Sequence, residues 1–161
     1  MLTATEAVDL LNLLRECVVT ALGDDTWLCA DGTGGIASVR ESRVSPDARL
    51  SKHEMPALLV LTERITSPVD DGLIGACRRS AECTVEYRAS SGDMTAGTDA
   101  AREVIARLVQ WINAEISGGR LDGLLSDGDR VHDITARMIP VDRGFDVRAE
   151  MVFTADFLVE V

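Results

Sequence analysis

The chain has 161 residues, 46% of them hydrophobic, which is the size of one ordinary domain with enough apolar material for a single core. Its formal net charge is −11, and of its 16 basic residues only Lys52 is not arginine. A summed field of that sign repels phosphate and disfavours nonspecific binding to nucleic acid or to an anionic membrane.

The opening MLTATEAVDLLNLL lacks the basic start and small-residue cleavage site of a secretion signal, and no apolar run reaches the roughly 18 residues that span a bilayer. The expectation is a soluble protein made in the cytoplasm, without a membrane partner. Thr3-x-x-Glu6 forms a capping box before an apolar periodic run, predicting a helix from about Ala4 to Leu22 that stops at Gly23. Its polar residues make one narrow stripe (Thr5, Asp9, Asn12, Glu16, Thr20), so its apolar surface is wider than a single sheet-facing side requires. That excess predicts a second contact, within the domain or with a neighbouring subunit.

From about 23 to 55 the chain is rich in Gly, Asp and Ser, and only Ile36 to Arg40 reads as a short strand. A connection this long with little structure is usually functional, so the segment is expected to be a flexible arm or loop within one domain spanning 1–161. Pro56 introduces ALLVLTERIT, apolar on both faces and then alternating, as in a strand at the sheet centre. After the turn-rich SPVDDGLIG, residues Glu82 to Arg88 alternate again and predict its antiparallel partner. SSGDMTAG reads as a break, with Thr98 or Asp99 capping a second helix that runs to about Ile116. Ala101, Val104, Ile105, Leu108, Trp111 and Ile112 form its apolar stripe, while Arg102, Glu103, Arg107, Gln110 and Asn113 face away.

His132 to Val141 supplies another strand, and Asp142-Arg143-Gly144 turns it into the terminal stretch GFDVRAEMVFTADFLVEV. Period-two alternation over that length predicts one half-buried strand, long enough to extend past the sheet of its own domain or bend along it. The whole order implies an α+β fold, a mainly antiparallel four- to five-stranded sheet with two helices packed on one face.

Motifs that carry chemistry are weak. Asp31-Gly-Thr-Gly-Gly35 lacks the Gly-Lys-Ser/Thr ending of a phosphate-binding loop, and SDGDR at Ser126 has no closing Glu for calcium. His53–Glu54 and His132–Asp133 lie far apart, with no spacing that puts two metal ligands on one helical face. Cys17, Cys29, Cys77 and Cys83 show neither a CxxC pair nor a framework spacing and read as small core hydrophobes. No catalytic residue, cofactor or metal is expected, and the chain does not read as an enzyme.

The element order, with the patterns TATEAVDLLNLLRECV, ALLVLTERIT, AECTVEYRA, TDAAREVIARLVQWINAEI and DVRAEMVFTADFLVEV, resembles the tail-terminator (minor tail protein U-like) proteins of long-tailed bacteriophages. The resemblance covers most of the chain, and the long 23–55 segment departs from it. It implies a structural virion protein, assembled in the host cytoplasm, that forms a hexameric ring, caps the tail tube at its head-proximal end and meets the head-completion or connector protein. An acidic lining that does not grip passing DNA suits such a ring, and neither tight DNA binding nor a cofactor is expected. The broad face of the first helix and the overlong terminal strand single out Leu10, Leu14, Val147, Phe157 and Val159 as candidate subunit contacts. Two alternatives remain at this point: another tail or head–tail joining component, and a small-molecule binding domain or enzyme using the loops around Asp31 and Asp70.

Overall fold

The computed structural model describes residues 10–29, 35–41, 50, 53–65, 76–116, 130–139 and 146–160. In chain order these form α1 (Leu10–Gly23), β1 (Ser38–Glu41), β2 (Ala57–Ile65), β3 (Ala76–Ser90), α2 (Met94–Ile116), β4 (Arg130–Ile139) and β5 (Asp146–Glu160). The fold is α+β, an open five-stranded sheet of order β1-β2-β3-β5-β4 with two helices. The sheet is mixed. β1 pairs with β2 in parallel, Ser38 opposite Ala57, and the other three pairings are antiparallel. The long connection from Glu41 to Ala57 brings the chain back to the end at which β1 began, as a parallel pair requires.

Val147, Ala149, Met151, Phe153 and Ala155 of β5 are all buried, as the alternation predicts, and Ala81, Cys83, Val85, Tyr87 and Ala89 of β3 are buried in step with them. Of the two expectations for β5, to extend past the sheet or to bend along it, the first is corrected. β3 is equally long, and the two pair along their whole length, from Ala76 opposite Glu160 to Ser90 opposite Asp146. ACRRSA hides this from a reading of periodicity, because two adjacent arginines interrupt the alternation.

One core cluster joins these residues to Leu14, Val18 and Leu22 of α1, Leu58 and Val60 of β2, and Val104, Leu108 and Ile112 of α2. Each large apolar side chain buried in this way contributes about 1.5–3 kcal/mol. The α2 stripe matches the sequence reading, except that Arg107 is half-buried. In α1, Asn12, Glu16 and Thr20 are exposed as expected, whereas Arg15 is only 9% exposed. Its Nε lies 3.0 Å from Glu41 Oε2, an ion pair without the alignment of a hydrogen bond, and its Nη2 donates to Asn12 Oδ1 at 2.9 Å. This charge pair ties α1 to the short edge strand β1.

The second helix starts earlier than Thr98 or Asp99. Asp93 Oδ1 accepts from Thr95 N at 2.9 Å and Ala96 N at 3.4 Å, which makes Asp93 the cap. Gly97, a breaker in the sequence reading, lies inside the helix at a close approach. A Cβ there would stand 2.7 Å from Ser91 Cβ and 2.8 Å from Val147 Cγ2.

Two substitutions test this packing by urea unfolding. Leu108→Ala, at a fully buried position, is expected to lose about 2–5 kcal/mol. Gly97→Ala is expected to destabilise by about 1–3 kcal/mol through overpacking, although alanine is the better helix former. A stabilised Gly97→Ala protein would show that α2 does not approach β5 as closely as described.

Candidate functional site

A cluster of polar and aromatic side chains lies where the turn after α1 meets α2. The helix ends at Gly23, where Asp24 N donates to Thr20 O and Asp25 N to Leu22 O, each at 3.2 Å, so two of the last carbonyls of the helix are satisfied. Asp25 then organises the turn: its Oδ1 accepts from Trp27 N at 3.0 Å and Leu28 N at 2.9 Å, and its carbonyl accepts from Cys29 N at 3.0 Å. Its second oxygen, Oδ2, accepts from Arg107 Nη2 at 3.4 Å. The same guanidinium stands 5.9 Å from the centre of the Trp27 ring, within cation–π range. One carboxylate thus shapes a turn and fastens it to α2.

Two recesses flank this junction. One, of about 260 Å³, is lined by Ala21, Asp24, Asp25, Thr26, Trp111 and Glu115. Trp111 is 4% exposed, and its indole N–H has no acceptor among the described residues. The other, of about 400 Å³, is lined by Trp27, Glu103, Ala106, Arg107 and Gln110. A third recess of about 700 Å³ lies between the end of α1 and the approach to β1, with Val19, Cys29, Ile36 and Ser38 on its walls.

The part of the 23–55 segment that is described is ordered into the fold. Cys29 and Ile36 form an isolated parallel bridge, Ile36 N donates to Leu28 O at 2.8 Å, and Leu28 and Ile36 belong to the core. Ser38 Oγ donates to the Glu54 carbonyl at 2.8 Å, and Arg40 pairs with the Glu54 carboxylate at 2.6 Å. Residues Asp31, Asp70 and Asp71, most of SDGDR, and the side chains of Cys77 and His132 lie outside the described residues. His53 is exposed. Among the described residues no three His, Cys, Asp or Glu side chains come together to hold a metal.

Of the candidate subunit contacts, Leu14 and Val147 are corrected: at 0% and 3% exposure they are spent on the chain's own core. The side chains of Leu10, Phe157 and Val159 lie outside the described residues, although all three backbone positions are within helix or strand. Sequence reasoning missed Arg15, Asp25, Trp27 and Arg107. The signal for the turn was present in GDDTW, an Asp two residues before a Trp directly after a helix-stopping Gly.

Cys83 is fully buried in the core, and the half-buried Cys29 donates its S–H to Leu22 O at 3.2 Å. Burial pushes the Cys83 thiol far above its ordinary value of 9.0, and burial raises Cys29, reinforced by the nearby Asp25 and Asp24 carboxylates. Burial raises the Tyr87 phenol as well. Groups held protonated in the folded chain but free to ionise in the unfolded one stabilise the fold fully below their unfolded pKa. That stabilisation is lost as pH rises, so folding stability is expected to fall above about pH 9, the unfolded thiol range. At neutral pH iodoacetamide is expected to leave Cys83 unmodified until the protein is denatured. Rapid alkylation of Cys83 in the native protein would contradict its burial.

No protein-family model matches this chain, and no curated protein aligns with it.

Proposed function

We propose that the chain is a structural assembly protein of a bacteriophage tail, a terminator that forms a ring on the head-proximal end of the tail tube and presents a surface to the head connector. The observation that carries this reading is the order helix, short strand, two strands, helix, two strands, closed by a long terminal strand, which is the order on which the family resemblance rests. On the same reading both helices cover one face of a mainly antiparallel sheet. Supporting that arrangement, the core cluster takes the odd-numbered residues of β3 and β5 together with residues of both helices. The opposite positions, Glu82, Thr84, Glu86, Glu150, Val152 and Thr154, keep solvent contact. The ring is a homohexamer, and its partners are the tail tube protein and a head-completion protein.

The charge distribution supports a lumen through which DNA passes freely. The net charge is −11, while α1 and β1 each hold one basic and one acidic residue. The acidic excess therefore lies elsewhere, and the sequence concentrates Asp in its turn-rich stretches, at Asp24, Asp25, Asp31, Asp70, Asp71, Asp122, Asp127 and Asp129. Such a lining does not release counterions from DNA and so gains no affinity for it. A second reading, a small-molecule binding domain, draws on the recess of about 700 Å³ beside α1 and β1.

Immunogold labelling of virions is expected to mark the junction of head and tail, and a gel-shift titration with duplex DNA at physiological salt is expected to show no complex. Tight, salt-sensitive DNA binding would overturn the lumen argument. A label spread along the tube would indicate a tube subunit, and absence from virions would favour the small-molecule reading.

A further inference from the structure

β1 is a short strand with little apolar pattern. Its four residues, Ser38–Glu41, are all half-buried, and Val39 is its one apolar side chain. Burial alone fixes the alignment of a strand only weakly when so few alternate residues are apolar. Yet β1 holds one alignment with β2, from Ser38 opposite Ala57 to Glu41 opposite Val60. Its two faces meet different partners. Val39 packs against the core on the helix side, and Glu41, two residues on and so on the same side, meets Arg15 of α1 with Oε2 3.0 Å from Nε. Arg40 belongs to the opposite side, where its Nη2 lies 2.6 Å from Glu54 Oε1, and Ser38 on that side donates from Oγ to the Glu54 carbonyl at 2.8 Å.

We infer that Arg40 and Glu41 form a register lock: two adjacent residues of opposite charge, each clamped from a different face of the sheet, that admit β1 in one alignment only. A slip of one residue turns every side chain to the other face. In one direction Arg40 takes the place of Glu41 and confronts Arg15, while Val39 meets the Glu54 carboxylate. In the other direction Glu41 takes the place of Arg40 and confronts Glu54, while Arg40 enters the apolar place of Val39. Either slip sets like charges against each other. A slip of two residues keeps the faces but carries the Glu41 carboxylate about 6.6 Å along the strand, out of ion-pair reach of Arg15. The Arg15 side chain is 10% exposed, and a guanidinium buried to that degree is costly without its counter-charge. The misaligned strand is therefore penalised on the helix side as well as left unrewarded. The lock is independent of the ring reading, and it fixes one wall of the recess of about 700 Å³, which Ser38 and Val39 line.

The test follows β1 by NMR in the full-length protein. It reads the cross-strand contact of Val39 with Leu58 and the hydrogen exchange of Ala37, whose N donates to Pro56 O at 2.7 Å. Val85, fully buried on β3, is the internal reference. In Glu41→Gln the Ala37 amide is expected to exchange faster than in the wild type by about tenfold or more relative to Val85. Exchanging the two charges of the strand, Arg40→Glu with Glu41→Arg, is expected to abolish the contact of Val39 with Leu58. Adding Arg15→Glu and Glu54→Arg to that variant reverses both partners and is expected to restore the contact. An exchanged strand that keeps the wild-type contact and exchange rate overturns the lock, and so does a fourfold variant that does not regain them. A salt titration of the wild type needs no variant to fold. From about 0.1 to 1 M salt the ion pairs are screened, and Ala37 is expected to exchange progressively faster relative to Val85. A ratio that stays constant over that range overturns the lock.

Discussion

The full-length pairing of β3 with β5 is the constraint from which the rest of the architecture follows. Two 15-residue strands held in one unbroken antiparallel register fix which alternate residues share a face. On both strands that shared face is apolar at every described position, from Ala81 to Ala89 and from Val147 to Ala155. A slip of one residue would carry Phe153 and Met151 to the side occupied by Glu150 and Thr154, so the register is strongly specified. The flanking strands then add outward, and each meets a register shift, between Thr62 and Arg64 in β2 and between His132 and Thr135 in β4. Such bulges let shorter strands follow a long, twisted pair.

A second constraint joins the helices. The Asp25 carboxylate spends one oxygen on the turn after α1 and the other on Arg107 of α2. Near it Trp27 and Trp111 supply aromatic surface. The arrangement places tryptophan and arginine side chains against one carboxylate at a single junction, so turn and helix are held by a charge pair and a cation–π contact together. It also explains why a segment with the composition of a loop is part of the fold: Leu28 and Ile36 are core residues despite the Gly and Asp around them.

Much of the fold was legible because burial writes itself into periodicity. The period-two pattern of β5 from Val147 to Ala155 and the α2 stripe of Val104, Leu108 and Ile112 matched the structure residue by residue. What escaped depended on tertiary context. The early part of β3 was missed because Arg78-Arg79 breaks alternation, and the start of α2 because Gly97 looks like a breaker when it is a packing requirement against Val147. The parallel placement of β1 is set by a chain return that four residues of strand cannot announce. Arg15 was unreadable for a related reason: its partner Glu41 is distant in sequence. The surfaces were less legible than the core. Leu14 and Val147 were expected to contact neighbours because apolar alternation marks burial without saying against what, and the chain's own core takes them.

Whether a small α+β chain of this kind serves as a tail terminator is decided on tails. The direct measurement is the distribution of tail lengths, by electron microscopy, in particles made without this gene and again after the gene is restored. The proposed role predicts tubes of irregular and excessive length that do not join heads, returned to a single length by the restored protein. Tails of unchanged, uniform length without the gene would contradict it.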